Sequence, residues 1–531
     1  MSAPIDEDES SGHQMYAPKR LQEQAHIRSN SLHVDSPPTS PSRPQLKGDQ
    51  RSPSFGEDLE DEVRRQPYEP EPISQPQPRR REYFGLRLIN WIVIAVACTA
   101  LSVIIGTITK PHWEGWVTQP PLQASRLSDR FAISNAPADT ATGIAASPGA
   151  RQSESKVPVQ GVTESEIRFG ISAPFSGAAK ELGHHMKLGI DAAFKVVNTN
   201  GGIHGRQLRL VAVDDGYEPT RTAETMKQLY EQDQVFGIVG NVGTPTGVVA
   251  LPYALARRML FYGAFTGASL LRSDPPDRYV FNYRASYAEE TDAVVRYLVK
   301  VRRLKPEQIA VFAQQDSYGD AGFAGVAKAV RSLQGGDEST ILRLNYKRNT
   351  VDVDEAIAQL QKSRIPIKAV IMVPTYRAAA RFIEKTRDLY PNMIYTSVSF
   401  VGSTALASEL MLLGQKYAQG VIVTQVVPAV DGHSSVVLGY KSALAKYFPG
   451  EPPDYVSLEG YIAASVLIEA LKRTGPQLDT ERLVETLENL RDFDMGLGTL
   501  VSFGRSEHQG VHKVWGTQLD ATGRYQAIDL Q

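Results

Sequence analysis

From about residue 163 to the C-terminus, short apolar runs alternate with longer amphipathic stretches. IRFGIS (167–172), LRLVAVD (208–214), FGIVG (236–240), MLFYGAF (259–265) and YVFNYRA (279–285) read as strands. IAVFAQ (309–314), ILRLNY (341–346), AVIMVP (369–374), MIYTSVS (393–399) and GVIVTQ (420–425) continue the series. These runs lack polar alternation, as parallel strands covered on both faces do. Helices are expected between them, over 180–197, 220–232, 244–256, 287–301, 320–333, 352–362, 376–387 and 404–413. Repeated βα units require right-handed crossovers and give an α/β fold with an open, doubly wound sheet. A region of about 365 residues exceeds what one core comfortably holds, so two doubly wound lobes are expected.

The chain before residue 163 follows other patterns. Residues 1–85 are rich in Pro, Ser, Gln, Glu and Arg and nearly devoid of Ile, Val and Phe. Such a segment buries too little apolar surface to offset chain entropy and is expected to be disordered. The pattern then inverts: Leu88 to Thr109 contains no charged residue. A helix of that length spans roughly 33 Å, about one hydrocarbon core, so residues 86–110 are expected to form one transmembrane helix. Trp91 stands near one edge, Trp113 and Trp116 beyond the other, where interfacial anchors belong. Arg79, Arg80, Arg81 and Arg87 precede the span and Lys110 alone follows closely. Positive-inside asymmetry therefore puts 1–85 in the cytoplasm and the globular region outside, periplasmic or extracellular, of a cell membrane crossed once. Cleavage of a signal peptide fits poorly, because the apolar run is too long and too far from the start. Lipidation at Cys98 fits poorly as well, since apolar sequence continues beyond it. Residues 111–162, small and polar with interspersed Pro, read as a flexible tether.

Charge removes one class of partner. The chain has 57 Lys+Arg against 59 Asp+Glu, a net charge of -2. A protein that tracks nucleic-acid phosphates through its overall charge needs a basic excess, and none is present. The single cysteine removes intrachain disulfides and multi-cysteine metal sites. No motif pairs a nucleophile with a base, and none calls for a cofactor or a metal, so nothing in the chain nominates an enzyme.

Loops at the carboxyl ends of parallel strands are where α/β sheets bind ligands. After 236–240 comes GNVGTPTG, in which Thr244 and Thr246 open a helix. After 259–265 comes Phe265-Thr266-Gly267-Ala268. Hydroxyls and free N–H groups at a helix start favour an anion, so the two loops can cradle a carboxylate; alone, each also reads as an ordinary tight turn. On the second lobe Tyr318, in DSYGDAG, and Tyr376, after AVIMVPT, either overhang the cleft or pack. Asp214 and Asp215 offer metal ligands or an acid pair, but a turn that caps the helix near Thr220 is the stronger reading. His184 and His185 lack a flanking zinc motif, and one is expected to cap or pack in the first helix.

The string IRFGISAPFSGAAKELGHHMKLGIDAAFKVVNTNGGIHGRQLRLVAVDDGYEPTRT resembles the opening of type I periplasmic solute-binding proteins of the leucine/isoleucine/valine-binding branch. GNVGTPTG, FTGA, RASYAEET, DSYGDAG, SFVGS and the closing VHKVWGTQLDATGRYQAIDL continue it in order over about 163–531. The resemblance implies two doubly wound lobes with a hinge of three strands, the first taking about 163–283 and 427–490 and the second about 284–426 and 491–531, that close on an amino acid or related molecule delivered to an ABC permease. It implies that Thr244 and the backbone around Phe265, Thr266 and Gly267 hold a carboxylate, with Tyr318 and Tyr376 on the opposing lobe. Amino-acid binders of this branch place an acid near the loop after 393–399, whereas here that loop reads SFVGSTA. An unpaired buried ammonium would cost several kcal/mol, so either Glu290 or Asp316 substitutes or the ligand is not a standard α-amino acid. A receptor that signals through its cytoplasmic head is the alternative to import.

Overall fold

The computed structural model describes residues 158–333 and 336–531. The expected head, transmembrane helix and most of the tether lie outside the described residues. Among the described residues no helix is long and apolar enough to cross a membrane.

The first sheet is built from β1 (Glu166–Ala173), β2 (Gln207–Asp214), β3 (Gly237–Val239), β4 (Leu260–Tyr262) and β5 (Val280–Phe281). All five are parallel, in the order β2-β1-β3-β4-β5. Helices α1 (Lys180–Thr199), α2 (Pro219–Lys227) and α3 (Thr244–Ala256) connect them. The second sheet holds β6 (Ile309–Gln314), β7 (Leu342–Tyr346), β8 (Ala369–Val373), β9 (Ile394–Ser397) and β10 (Ile422–Gln425). Its helices are α4 (Tyr287–Arg296), α5 (Ser317–Ser332), α6 (Asp354–Gln361), α7 (Tyr376–Arg387), α8 (Ser403–Leu413) and α9 (Gln415–Ala418). The chain then returns to the first lobe as α10 (Ser435–Tyr447), α11 (Tyr455–Thr474) and α12 (Thr480–Glu488), and ends in the hairpin β11 (Trp515–Leu519) and β12 (Tyr525–Ile528). The full order of the second sheet is β12-β11-β10-β9-β8-β6-β7, with β11 and β12 antiparallel.

The five parallel strands of each sheet share one winding order, so each sheet reverses direction between its first and third strands. Those switch points open clefts at the strands' carboxyl ends. The strands nearest them are buried along nearly their whole length, as β6 and β8 show. In the first lobe α1 lies directly on α11. A Cβ on Gly189 would stand 1.8 Å from the Ser457 carbonyl oxygen, so that helix contact requires glycine.

Three segments cross between the lobes, near 282–286, 426–427 and 511–514. The Asn282 N–H donates to His508 O (2.8 Å), Gly510 N–H donates to Asn282 O (2.8 Å), and the Tyr283 hydroxyl donates to Val426 O (3.2 Å). One boundary differs from the sequence-based expectation, which put all of 491–531 in the second lobe. Residues 493–510 lie instead along β5 of the first sheet: Phe503 meets Phe281 edge-on at 5.5 Å and His508 stacks on it at 3.9 Å. The segment carries little strand-forming pattern, and its partner is a two-residue strand, so its side was set by tertiary packing.

Candidate ligand cleft between the lobes

The switch-point loops of the two sheets face one another. From the first lobe come the start of α3, the loop after β4 and the turn after β2. From the second come the starts of α4, α5 and α7 and the loop after β9. Side chains of the two lobes bond to each other across the cleft. At the rim Arg348 and Asn349 of the second lobe donate to the Glu218 carboxylate of the first at 2.8 and 2.7 Å. Deeper in, Gln314 donates to the Tyr217 hydroxyl (3.3 Å).

Thr244 and Thr266 meet with their hydroxyl oxygens 2.7 Å apart, and the Thr266 hydroxyl donates to Tyr287 Oη at 3.3 Å. Gly267 lies against the first turn of α4: its carbonyl accepts from Tyr287 N–H (2.8 Å), and a Cβ there would stand 2.6 Å from the same nitrogen. Thr244, Phe265, Thr266 and Gly267 therefore form one continuous surface. Tyr318 joins it across the cleft and donates its hydroxyl to Pro374 O at 3.3 Å. Tyr376 stands at a different place, beside Gly402 and facing the start of α1 at Glu181. Burial pushes its hydroxyl pKa up, against the opposing pull of Arg377 and of the Glu181 backbone.

The centre of this surface is filled by Phe400, which follows β9. Its ring stacks on Phe265 (5.1 Å, 30°) and packs on Tyr318 (4.6 Å), Tyr217 (6.2 Å) and Tyr287 (6.4 Å). All five rings are at most 1% exposed. Gly402, two residues on, takes φ +82°, a left-handed conformation that favours glycine, and packs against Leu182 of α1. Sequence reasoning identified this loop by the acid it lacks and passed over the ring it carries. Tyr217 and Tyr287 were also missed. Tyr217 sits at positive φ just after the DDG turn, and Tyr287 opens the RASYAEET helix. Both positions at strand-to-helix junctions were the available signal.

Beneath the rings lies a buried ionic cluster. Arg284, in a crossing segment, donates to Glu290 Oε1 (2.8 Å) and to the Ser399 hydroxyl, with Glu459 Oε1 at 3.4 Å. Glu290 Oε2 accepts from Ser399 N–H (2.8 Å) and from the Thr424 hydroxyl (2.5 Å). Burial pushes the Glu459 carboxyl up to about 7 against the pull of Arg284. The Arg284 guanidinium also lies 5.2 Å from the Phe265 ring centre. The two acids offered as ammonium partners are thus committed to the protein's own donors. Glu290 is held as above. Asp316 accepts from Tyr318 N–H (3.0 Å) at the start of α5, from Gln314 (2.7 Å) and from Arg348 (3.1 Å).

The remaining candidates are structural. Asp214 accepts from Phe175 and Gly216 N–H and from Ser176 and Arg221, which hold its carboxyl well below the usual range despite burial. Burial pushes Asp215 up to about 6, while bonds from Tyr217 N–H, Ser172 and Thr222 oppose the rise. Together they build the turn that sequence anticipated, but they do not cap α2, whose N-cap residue is Glu218. His184 bonds Phe175 O (3.1 Å), and His185 faces Asp454 (3.4 Å). Among the described residues no group of three His, Cys, Asp or Glu is placed to hold a metal ion.

The architecture has known counterparts. A crystal structure of a possible leucine/isoleucine/valine-binding protein from Rhodopirellula baltica SH 1 is 40% identical, with a TM-score of 0.66, covering 71% of this chain and 98% of that one. A substrate-binding periplasmic protein from Ralstonia solanacearum is 26% identical, with a TM-score of 0.61, over 68% of this chain and 100% of its own. Leu/Ile/Val-binding protein homolog 3 of Brucella melitensis is 24% identical over 63% of this chain and 86% of its own length. A family model described as periplasmic binding protein matches residues 166–524, and with these two lobes, their shared winding order and the cleft between them, the chain belongs to that family.

Proposed function

We propose that the protein is a membrane-anchored, extracytoplasmic solute-binding protein that captures a small carboxylate between its lobes for an ABC importer. The observation that carries this reading is the chain of contacts that runs from Thr244 through Thr266 to Tyr287, on whose ring the second lobe's Tyr318 packs, at the mouths of two facing switch points. In the ligand-bound form the carboxylate replaces the bond between the two threonine hydroxyls. It accepts from them at the start of α3, where hydroxyl donors and the helix dipole stabilise an anion without a full counter-charge. Tyr318 covers it from the opposing lobe. The names of the relatives support amino acids or related molecules as the ligand class. The commitment of Glu290 and Asp316 to internal partners favours a ligand without an ammonium. Residues 86–110 supply the anchor and 1–85 the cytoplasmic head.

Deletion of the coding sequence tests the transport role: uptake of the bound solute should fall sharply and return when the full chain is restored. The uncharged stretch behind an arginine-rich flank favours a second reading, a receptor that signals through the head. Under that reading uptake is unchanged by deletion, and ligand alters partner binding by residues 1–85.

A further inference from the structure

The ring of Phe400 occupies the middle of the cleft, enclosed by aromatic rings from both lobes, and its seat is flat on the Phe265 side. We infer that Phe400 is the specificity-determining residue of this cleft, and that the solute it admits is a one-ring aromatic carboxylate whose ring takes the seat of the Phe400 ring against Phe265 and Tyr318. This inference rests on the reading of the cleft as a solute site and names the class of solute.

Three features carry it. The first is shape. Phe265 presents its face to the seat at 5.1 Å, Tyr287 stands edge-on to it, and Tyr217 and Tyr318 are tilted against it, an arrangement that favours a planar ring over a branched chain. The second is charge. Both oxygens of Glu290 and both of Asp316 are bonded within the protein, so the seat offers an ammonium no free carboxylate. The third is the polar edge. The Thr244–Thr266–Tyr287 hydroxyl chain runs beside the same rings, where the carboxylate of a ring-bearing acid would lie. Phe400 belongs to the second lobe and Phe265 and Tyr217 to the first, so the resident ring bridges the lobes as a ligand would. A solute must displace it, and its affinity is set by that exchange.

Titration calorimetry on the purified full chain tests this, with phenylacetate and benzoate as ring-bearing probes and hexanoate as an aliphatic probe of equal charge. Phe400→Ala vacates the seat and should bind the ring-bearing probes at least tenfold more tightly than the unaltered protein, with no comparable gain for hexanoate. Phe400→Leu keeps most of the volume and should stay within about threefold of the unaltered protein. If Phe400→Ala does not fold by circular dichroism, Phe400→Val serves in its place. A folded small variant with no gain for either ring acid, or with an equal gain for hexanoate, overturns the role of Phe400. A carboxylate bound equally by the unaltered protein and the small variant also overturns it while leaving the cleft as a solute site. Failure of every carboxylate with every variant overturns both.

Discussion

Glu459 is the residue whose chemistry is most sensitive to its surroundings. It lies on α11 with 3% exposure, 3.4 Å from Arg284, and burial raises its carboxyl from 4.5 to about 7. A carboxyl with a raised folded-state pKa contributes stability that is complete below its unfolded value and lost as pH rises through the folded value. Folding stability should therefore fall by about 1–3 kcal/mol between pH 4.5 and 7 on account of this group alone. Glu459→Gln, neutral throughout, should lack that loss and so gain on the unaltered protein across the same interval, as urea unfolding at stepped pH would show. A constant difference between the two proteins from pH 4.5 to 8 would contradict the assignment. The same scale shows what sequence could disclose about the site. Thr244, Thr266 and Gly267 were legible because small and hydroxyl residues after a strand have a local signature. Phe400 and Arg284 were not, because their role comes from partners more than a hundred residues away in the chain: Phe265 for one, Glu459 for the other.

Among elements, the strands and most helices follow from hydrophobic patterning, and the observed bounds fall near the expected ones. The expected helices over 220–232 and 287–301 both finish in single π turns, Gln228–Gln232 and Tyr297–Val301, which patterning does not distinguish from α-helix. Helices α10, α11 and α12 carried no expectation. α11 is apolar on nearly every face because it is packed on several sides, so it lacks the one-sided stripe that marks a surface helix. Its contact with α1 depends on Gly189 and Gly460, where a Cβ would meet Ser457 O at 1.8 Å and Met186 O at 2.5 Å. Backbone lines both sites, so no side-chain rotation relieves the clash. Gly189→Ala should cost about 3 kcal/mol or more by overpacking. Thermal unfolding followed by circular dichroism checks this, and a melting temperature equal to that of the unaltered protein would show that the two helices can separate freely.

For the whole molecule, two sheets of the same winding order, joined by three crossing segments, set their switch points face to face. Repeated βα units made that architecture legible, while the side of the hinge taken by 493–510 depended on contacts with Phe281 that no local pattern announces. Closure in such a molecule responds to a ligand only through differential affinity for the two forms. The central claim is that the cleft holds a carboxylate on the first lobe's hydroxyls. Isothermal titration of the full chain against amino acids and organic acids, repeated with Thr244→Ala, tests it most directly. At least one carboxylate should bind, and the substitution should weaken it by about 1–3 kcal/mol, the usual cost of losing a hydrogen bond to a charged group. A carboxylate bound with the same affinity by both proteins would contradict the account.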